Sequence, residues 1–287
     1  MKYIKLSKLI VVMMFCVNIT MADNIDIVVP SKEGGGIFTL SNFVSKELLK
    51  QGIATTTSVK GDCVNGMYRF RQTTQPSILI ISSGKNASLT SRKGCTIQDE
   101  KEFESVYLIS LLRAVDSVCT VKNTLTIKSL RNGKQYVVGV DVGRQDRAGL
   151  ILSQLNIKHK IIVYSNATKA MQGLVAGDSD ILWTNAKESP KVQKAGGTCL
   201  FVATKNSMNG IPGLAQISSL KGEGLSNYYW VLTKNLNAQQ KQKLLTSFEI
   251  IKQSDEIKTL SKKKWLPMVD NEPLARVEIK DFVLNLK

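Results

Sequence analysis

Ile25-Asp26-Ile27-Val28-Val29-Pro30-Ser31-Lys32-Glu33-Gly34-Gly35-Gly36 is the stretch whose reading decides the fold. Its first five residues include four β-branched apolar side chains, which predict a short buried strand. Pro30 ends that strand, since it has no N–H to give to a sheet ladder. Residues 31–36 bring a hydroxyl, two charges and three glycines, the composition of a loop. Leu40, Phe43, Val44 and Leu48 then recur at helical spacing, and Gly52 supplies a stop. In this order of strand, glycine loop and helix, the loop sits at the carboxyl end of a strand, where open α/β sheets bind their ligands.

Working outward, a second strand is expected at residues 55–59, a helix over 66–73, and a buried strand at 78–81 that runs into Ser82-Ser83-Gly84. This β-loop-α-β order argues for a mostly parallel sheet flanked by helices. Apolar stretches at 106–112 and 115–121 follow, the second long enough to cross between two lobes. A second series opens with a strand at 136–140, the loop Asp141-Val142-Gly143-Arg144-Gln145-Asp146 and a helix carrying Ala148, Ile151, Leu152 and Leu155. It continues with a strand at 160–164, a helix at 167–176 stopped by Gly177, and strands at 180–184 and 199–204. Residues 228–233 read as a strand returning to the first lobe. Asn237 and Gln240 open a helix like a capping box, and a final helix begins near Ser254. The expected organisation is a leader at 1–22, lobe I at 23–115 and 229–287, and lobe II at 116–228.

The 287 residues are enough for two lobes with cores of their own. Lys2, Lys5 and Lys8 precede an apolar run at 9–17, and Thr20-Met21-Ala22 offers small residues at a cleavage point. That is the pattern of a secretory signal peptide, so an exported, periplasmic protein is expected. Loss of the segment lowers the formal net charge from +16 to +13. Export argues against nucleic acid as the partner, and the scattered lysines read as a solvated surface that also attracts anions. Cys63, Cys95, Cys119 and Cys199 remain, and four cysteines allow three pairings; Cys63–Cys95 in the first lobe and Cys119–Cys199 by the second are the expected ones. His159 is the only histidine, and no Cys-x-x-Cys occurs, so no metal site is expected. Asp178 and Asp180 read as turn residues leading into a strand.

Three loops lie at strand ends. Ser31, Gly34, Gly35 and Gly36 form the first, Ser82, Ser83 and Gly84 the second, and Gly143, Arg144, Asp146 and Arg147 belong to the third. A helix N-terminus behind such a loop presents unpaired N–H groups and about half a positive charge, which suits a carboxylate. The glycines fit neither a Walker loop nor the dinucleotide pattern. No Gly-x-Ser-x-Gly elbow is present and His159 lies in no triad context. No catalytic residue and no cofactor are expected.

The ordered set of segments resembles the tripartite tricarboxylate transporter receptors, also called the Bug family. The resemblance rests on Ile27-Val28-Val29-Pro30 with Gly34-Gly35-Gly36, on the strand ending at Ser82-Ser83-Gly84, and on Tyr136 through Gly143. It extends over Val163-Tyr164, Leu174-Val175-Ala176-Gly177, Asp180, Ile211-Pro212-Gly213-Leu214 and Tyr229-Trp230-Val231. It implies an α/β, two-lobed fold like that of type II periplasmic binding proteins (a Venus flytrap), with a carboxylic acid held in the interlobe cleft. It also implies a monomer that delivers its solute to the permease subunits of a tripartite transporter. Thr184 and Asn185 fall where the family usually places an acidic residue and join the ligand-binding candidates. Lys32 and Glu33 replace usual prolines, and Phe38 stands where an acidic residue is common. Arg144-Gln145-Asp146-Arg147 replaces small hydroxyl residues and a histidine; its two arginines are expected to offer bidentate contacts to a carboxylate. Two alternatives stay open: a receptor of the TRAP-type transporters, and a secreted interaction protein that has lost the transport role.

Overall fold

A computed structural model describes residues 24–86, 93–218, 227–264 and 266–285. The expected signal peptide at 1–22 lies outside these residues. The chain first lays down β1 (Ile25–Val29), α1 (Gly36–Lys50), β2 (Thr55–Val59), α2 (Cys63–Gln72), β3 (Ser77–Ser82), α3 (Ser83–Asn86), α4 (Glu100–Val106) and β4 (Tyr107–Ala114). It then forms β5 (Asp116–Thr120), α5 (Ile127–Leu130), β6 (Tyr136–Asp141), α6 (Gln145–Gln154), β7 (His159–Tyr164), α7 (Ala167–Ala176), β8 (Ile181–Asn185), α8 (Ser189–Lys194), β9 (Thr198–Val202) and α9 (Leu214–Ile217). It returns through β10 (Asn227–Lys234) and closes with α10 (Ala238–Gln253), α11 (Asp255–Lys264) and α12 (Glu272–Asn285).

Two five-stranded sheets result, ordered β2-β1-β3-β10-β4 and β7-β6-β8-β5-β9. In each, four strands point one way and one runs against them, so the sheets are mostly parallel as expected but not purely so. β10 is antiparallel to both β3 and β4, and β5 to both β8 and β9. Each reversed strand is the one by which the chain enters a sheet after leaving the other. The crossing from β4 to β5 takes Val115 alone. The apolar run at 115–121 is therefore not a connector but mostly a strand of the second sheet.

Every residue of β1 is buried, because helices cover both faces of its sheet. Side chains alternate between the faces. Val28, Leu79, Ile81 and Trp230 join one core cluster, whereas Ile27, Val29, Ile78, Ile80 and Val231 join another. The second sheet repeats this, with Val118, Val138, Ile181 and Trp183 on one face and Cys119, Leu182 and Val202 on the other. Both expected disulfides are present, Cys63–Cys95 and Cys119–Cys199. The first ties α2 to the short turn at Lys93–Cys95, and the second joins facing residues of β5 and β9. Among the described residues no helix is long and apolar enough to cross a membrane.

Candidate functional site

The two lobes enter their first helices by the same device. After β1, the Gly35 N–H donates to the Lys32 carbonyl at 3.2 Å and Gly34 takes φ +75°. After β6, the Arg144 N–H donates to the Asp141 carbonyl at 3.2 Å and Gly143 takes φ +92°. Each is a four-residue turn with a left-handed third residue, a position glycine fills without steric cost. The turns aim the N-termini of α1 and α6 into one interlobe space.

No side chain caps either of these helices. Every other described helix of ten residues or more has one that accepts a first-turn N–H. These are Asp62 on α2, Asn166 on α7, Asn237 on α10, Ser254 on α11 and Asn271 on α12. A capping side chain is worth about 1 kcal/mol. Its omission leaves the positive end of α1, which has no acidic side chain in its first turn, for something else to satisfy; α6 also lacks a cap but carries Asp146 in its first turn.

A cavity of about 190 Å³ lies between them. The first lobe contributes Ser31, Gly35, Gly36, Ser82, Asn227 and Tyr229, and the second Asp141, Val142, Gly143 and Arg144. A Cβ on Gly36 would stand 3.9 Å from the Tyr229 hydroxyl, which places that hydroxyl over the start of α1. Burial raises the Tyr229 pKa although Arg144 opposes it, so the phenol keeps its proton. A second cavity of about 120 Å³ shares Gly36 and Tyr229 with the first and adds Leu40, Leu112, Leu260, Leu266, Thr39, Asn185 and Lys187.

The arginines are committed within the protein. Asp116, buried at the first position of β5, accepts from Arg144, from Arg147 Nη1 at 2.8 Å and from Trp183 Nε1 at 3.1 Å. Arg144 also pairs with Asp141 at 2.8 Å. Burial lowers the Arg147 pKa. At Arg144 burial acts the same way, but Asp116 and Asp141 outweigh it and raise the pKa. With two carboxylates against two guanidinium groups the cluster is formally neutral. It anchors the first turn of α6 and leaves the helix N-terminus, not a free cation, as the attraction for an anion.

The structure brings Ser31, Gly34, Gly35, Gly36, Ser82, Gly143, Arg144 and Asn185 to the walls of the two cavities. Asp146 lies on the first turn of α6, outside those walls. Ser83, Gly84, Arg147 and Thr184 stand behind them. Ser83 is buried, and its hydroxyl donates to the Asn227 side chain and accepts from the Tyr228 N–H. The Gly84 N–H donates to the same Asn227 oxygen at 2.9 Å. Arg147 and Thr184 are buried. Sequence reasoning missed Asp116, Asp141, Asn227 and Tyr229. Asp116 carried a usable signal, a lone charge inside the apolar run Val115 to Cys119, since a buried charge requires a partner.

Together these features define a two-lobed α/β fold like that of periplasmic binding proteins. It is the fold of the TctC and Bug receptors, as the resemblance in the sequence implied. A TctC solute-binding protein from Polaromonas matches over 92% of this chain and 97% of its own, at 15% identity and a TM-score of 0.70. A Rhodopseudomonas palustris protein solved with adipate matches over 91% and 93%, at 13% identity and a TM-score of 0.68. MatC from the same organism, solved with malate, matches over 92% and 96%, at 13% identity and a TM-score of 0.64. No protein-family model matches the chain, and no curated protein matches it in sequence.

Proposed function

We propose that this chain is an exported solute receptor that closes lobe I, which carries the first sheet including β10 from Asn227, and lobe II, which carries the second sheet, around a small carboxylate. The observation that carries the reading is the pair of uncapped helix N-termini, α1 and α6, meeting in one small cavity. Anions are stabilised by such termini. Ser31, Ser82, Asn227 and Tyr229 add hydroxyls and an amide that hydrogen-bond a carboxylate. At about 190 Å³ this cavity is below the roughly 300–1,000 Å³ of sites for drug-sized ligands, so it suits the carboxylate end of a guest. The solved relatives with adipate and malate support a carboxylic acid as its class. Export to the periplasm is supported by the leader pattern at 1–22 and by two disulfides, which persist in oxidising compartments. Delivery of the bound acid to a tripartite permease completes the proposal and rests on the near full-length likeness to a TctC protein.

The test is a thermal-shift titration of residues 23–287 with small carboxylic acids. A ligand of the native state raises the melting temperature by mass action, by about 2.7 kcal/mol of stability at one hundred times Kd. Gly36→Asp places a carboxylate where the solute's belongs, in space open enough for the new Cβ. The expected result is a shift with wild type that disappears in this variant. A folded wild-type protein that no small acid stabilises would overturn the receptor reading.

A further inference from the structure

We infer that the solute is a monocarboxylic acid with an apolar body of about four or more carbons, held with its carboxylate between α1 and α6 and its body in the second cavity. This rests on the receptor reading above and names the substrate class. The two cavities are neighbours that share Gly36 and Tyr229 as walls. They differ in chemistry. The first offers hydroxyls, an amide, helix N-termini and the paired Asp141 and Arg144, with Ile37 and Val142 as its apolar members. The second is walled by Leu40, Leu112, Leu260 and Leu266, the first two buried and the others partly so.

The second cavity's polar members, Thr39, Asn185, Lys187 and Tyr229, stand among these leucines, and three of them have internal contacts: the Thr39 hydroxyl donates to the Gly35 carbonyl at 3.1 Å. Asn185 Oδ1 accepts the Lys187 N–H at 3.0 Å. Lys187 Nζ stands 3.8 Å from a Glu188 carboxylate oxygen. A short hydroxy-diacid or tricarboxylate would turn hydroxyl or carboxylate groups toward leucine side chains, and unpaired polar groups there are costly. A hydrocarbon body meets no such cost and removes leucine surface from water. The body also has room to lengthen. An open groove of about 580 Å³ shares Gly34, Thr39 and Leu260 with this cavity and continues along Phe38 and Phe43. Phe38 thus extends an apolar track at the point where the resembled family commonly carries an acid.

The experiment measures affinities of the wild-type protein for acetate, butyrate, hexanoate and octanoate, with malate and citrate beside them, by calorimetry. Expected is a gain of up to about fourfold per methylene from butyrate to hexanoate, no collapse at octanoate, and weaker binding of malate and citrate than of hexanoate. Leu260→Asn should lower the hexanoate-to-acetate affinity ratio by roughly tenfold, with Leu260→Met keeping it and showing that the position tolerates change. The wild-type series stands even if Leu260→Asn does not fold. A flat series, or malate or citrate binding more tightly than hexanoate, overturns the inference and leaves the receptor intact. Failure of every acid overturns the receptor reading and this inference with it.

Discussion

Asp116 holds three donors on one carboxylate and is about 1% exposed. Buried charges survive only when paired and hydrogen-bonded, and removing one partner strands the other. Asp116→Asn keeps the shape and an acceptor but removes the charge between two guanidinium groups. We expect it to cost about 3–5 kcal/mol of unfolding free energy in urea titration, the range seen when a buried pair is broken. A loss below about 1 kcal/mol would show that Arg144 and Arg147 are solvated instead. The pairing of Asp116 with the two arginines was not legible in the sequence. Arg144 and Arg147 were legible as cations beside a ligand loop, but their partner lies 28 and 31 residues upstream. Nothing local joins the two segments, so the internal pairing of these cations was not legible, while Arg144 does line the cavity. The glycines at 34 and 143 were legible because their constraint is local, a turn with a left-handed third residue.

Among elements, β6 and β8 are tied at their entry by Asp180. Its carboxylate accepts the Val137 N–H at 2.9 Å and pairs with Lys122, while its carbonyl accepts from the Thr120 hydroxyl at 2.8 Å. Partial burial alone would raise its pKa, but Lys122 and the Val137 N–H outweigh it and hold the group below the ordinary aspartate value. A carboxyl depressed on folding contributes stability above its unfolded pKa, near 4, and loses it as pH falls through the folded value. Asp180→Asn should therefore be less stable than wild type at pH 7, with the gap narrowing below about pH 4; denaturant midpoints at several pH values measure it. A gap independent of pH would assign Asp180 a role other than charge. The same junction shows why some elements were legible. α7 runs over Ala167–Ala176 as expected, since Asn166 caps it and Gly177 turns left-handed at its end. The capping box of Asn237 and Gln240 likewise opens α10. The separate start of α12 was missed. Exposed Leu274 and Val277 blur the stripe of Ala275, Ile279, Phe282 and Val283 that it buries. The reversal of β5 and β10 was also illegible, because strand direction depends on where the chain re-enters a sheet and not on its pattern of apolar residues.

At the scale of the whole molecule, the strands that change sheets meet at one place. Ala114, the last residue of β4, pairs with Asn227, the first of β10, and Val115 then leads directly into Asp116. If the lobes close as proposed, a bend there would move one sheet against the other while each keeps its ladder, the usual geometry of hinge closure. The disulfides respect this division. Cys63–Cys95 binds elements beside the first sheet, and Cys119–Cys199 links two strands of the second. Each closes a loop within one lobe, of 32 and 80 residues in separation, and so restricts the unfolded chain without tethering the lobes. Chain-entropy arguments value such a link at about 4 kcal/mol. Replacing Cys119 and Cys199 together by serine should therefore lower the melting temperature substantially and leave closure intact. The comparison is by small-angle scattering with and without a bound acid, at a temperature where both proteins are folded. The radius of gyration should fall on binding in the variant as it does in wild type. A variant that stays folded and binds the acid but no longer contracts would mean that the second lobe does not move as one body, and that closure depends on strain carried through β5 and β9.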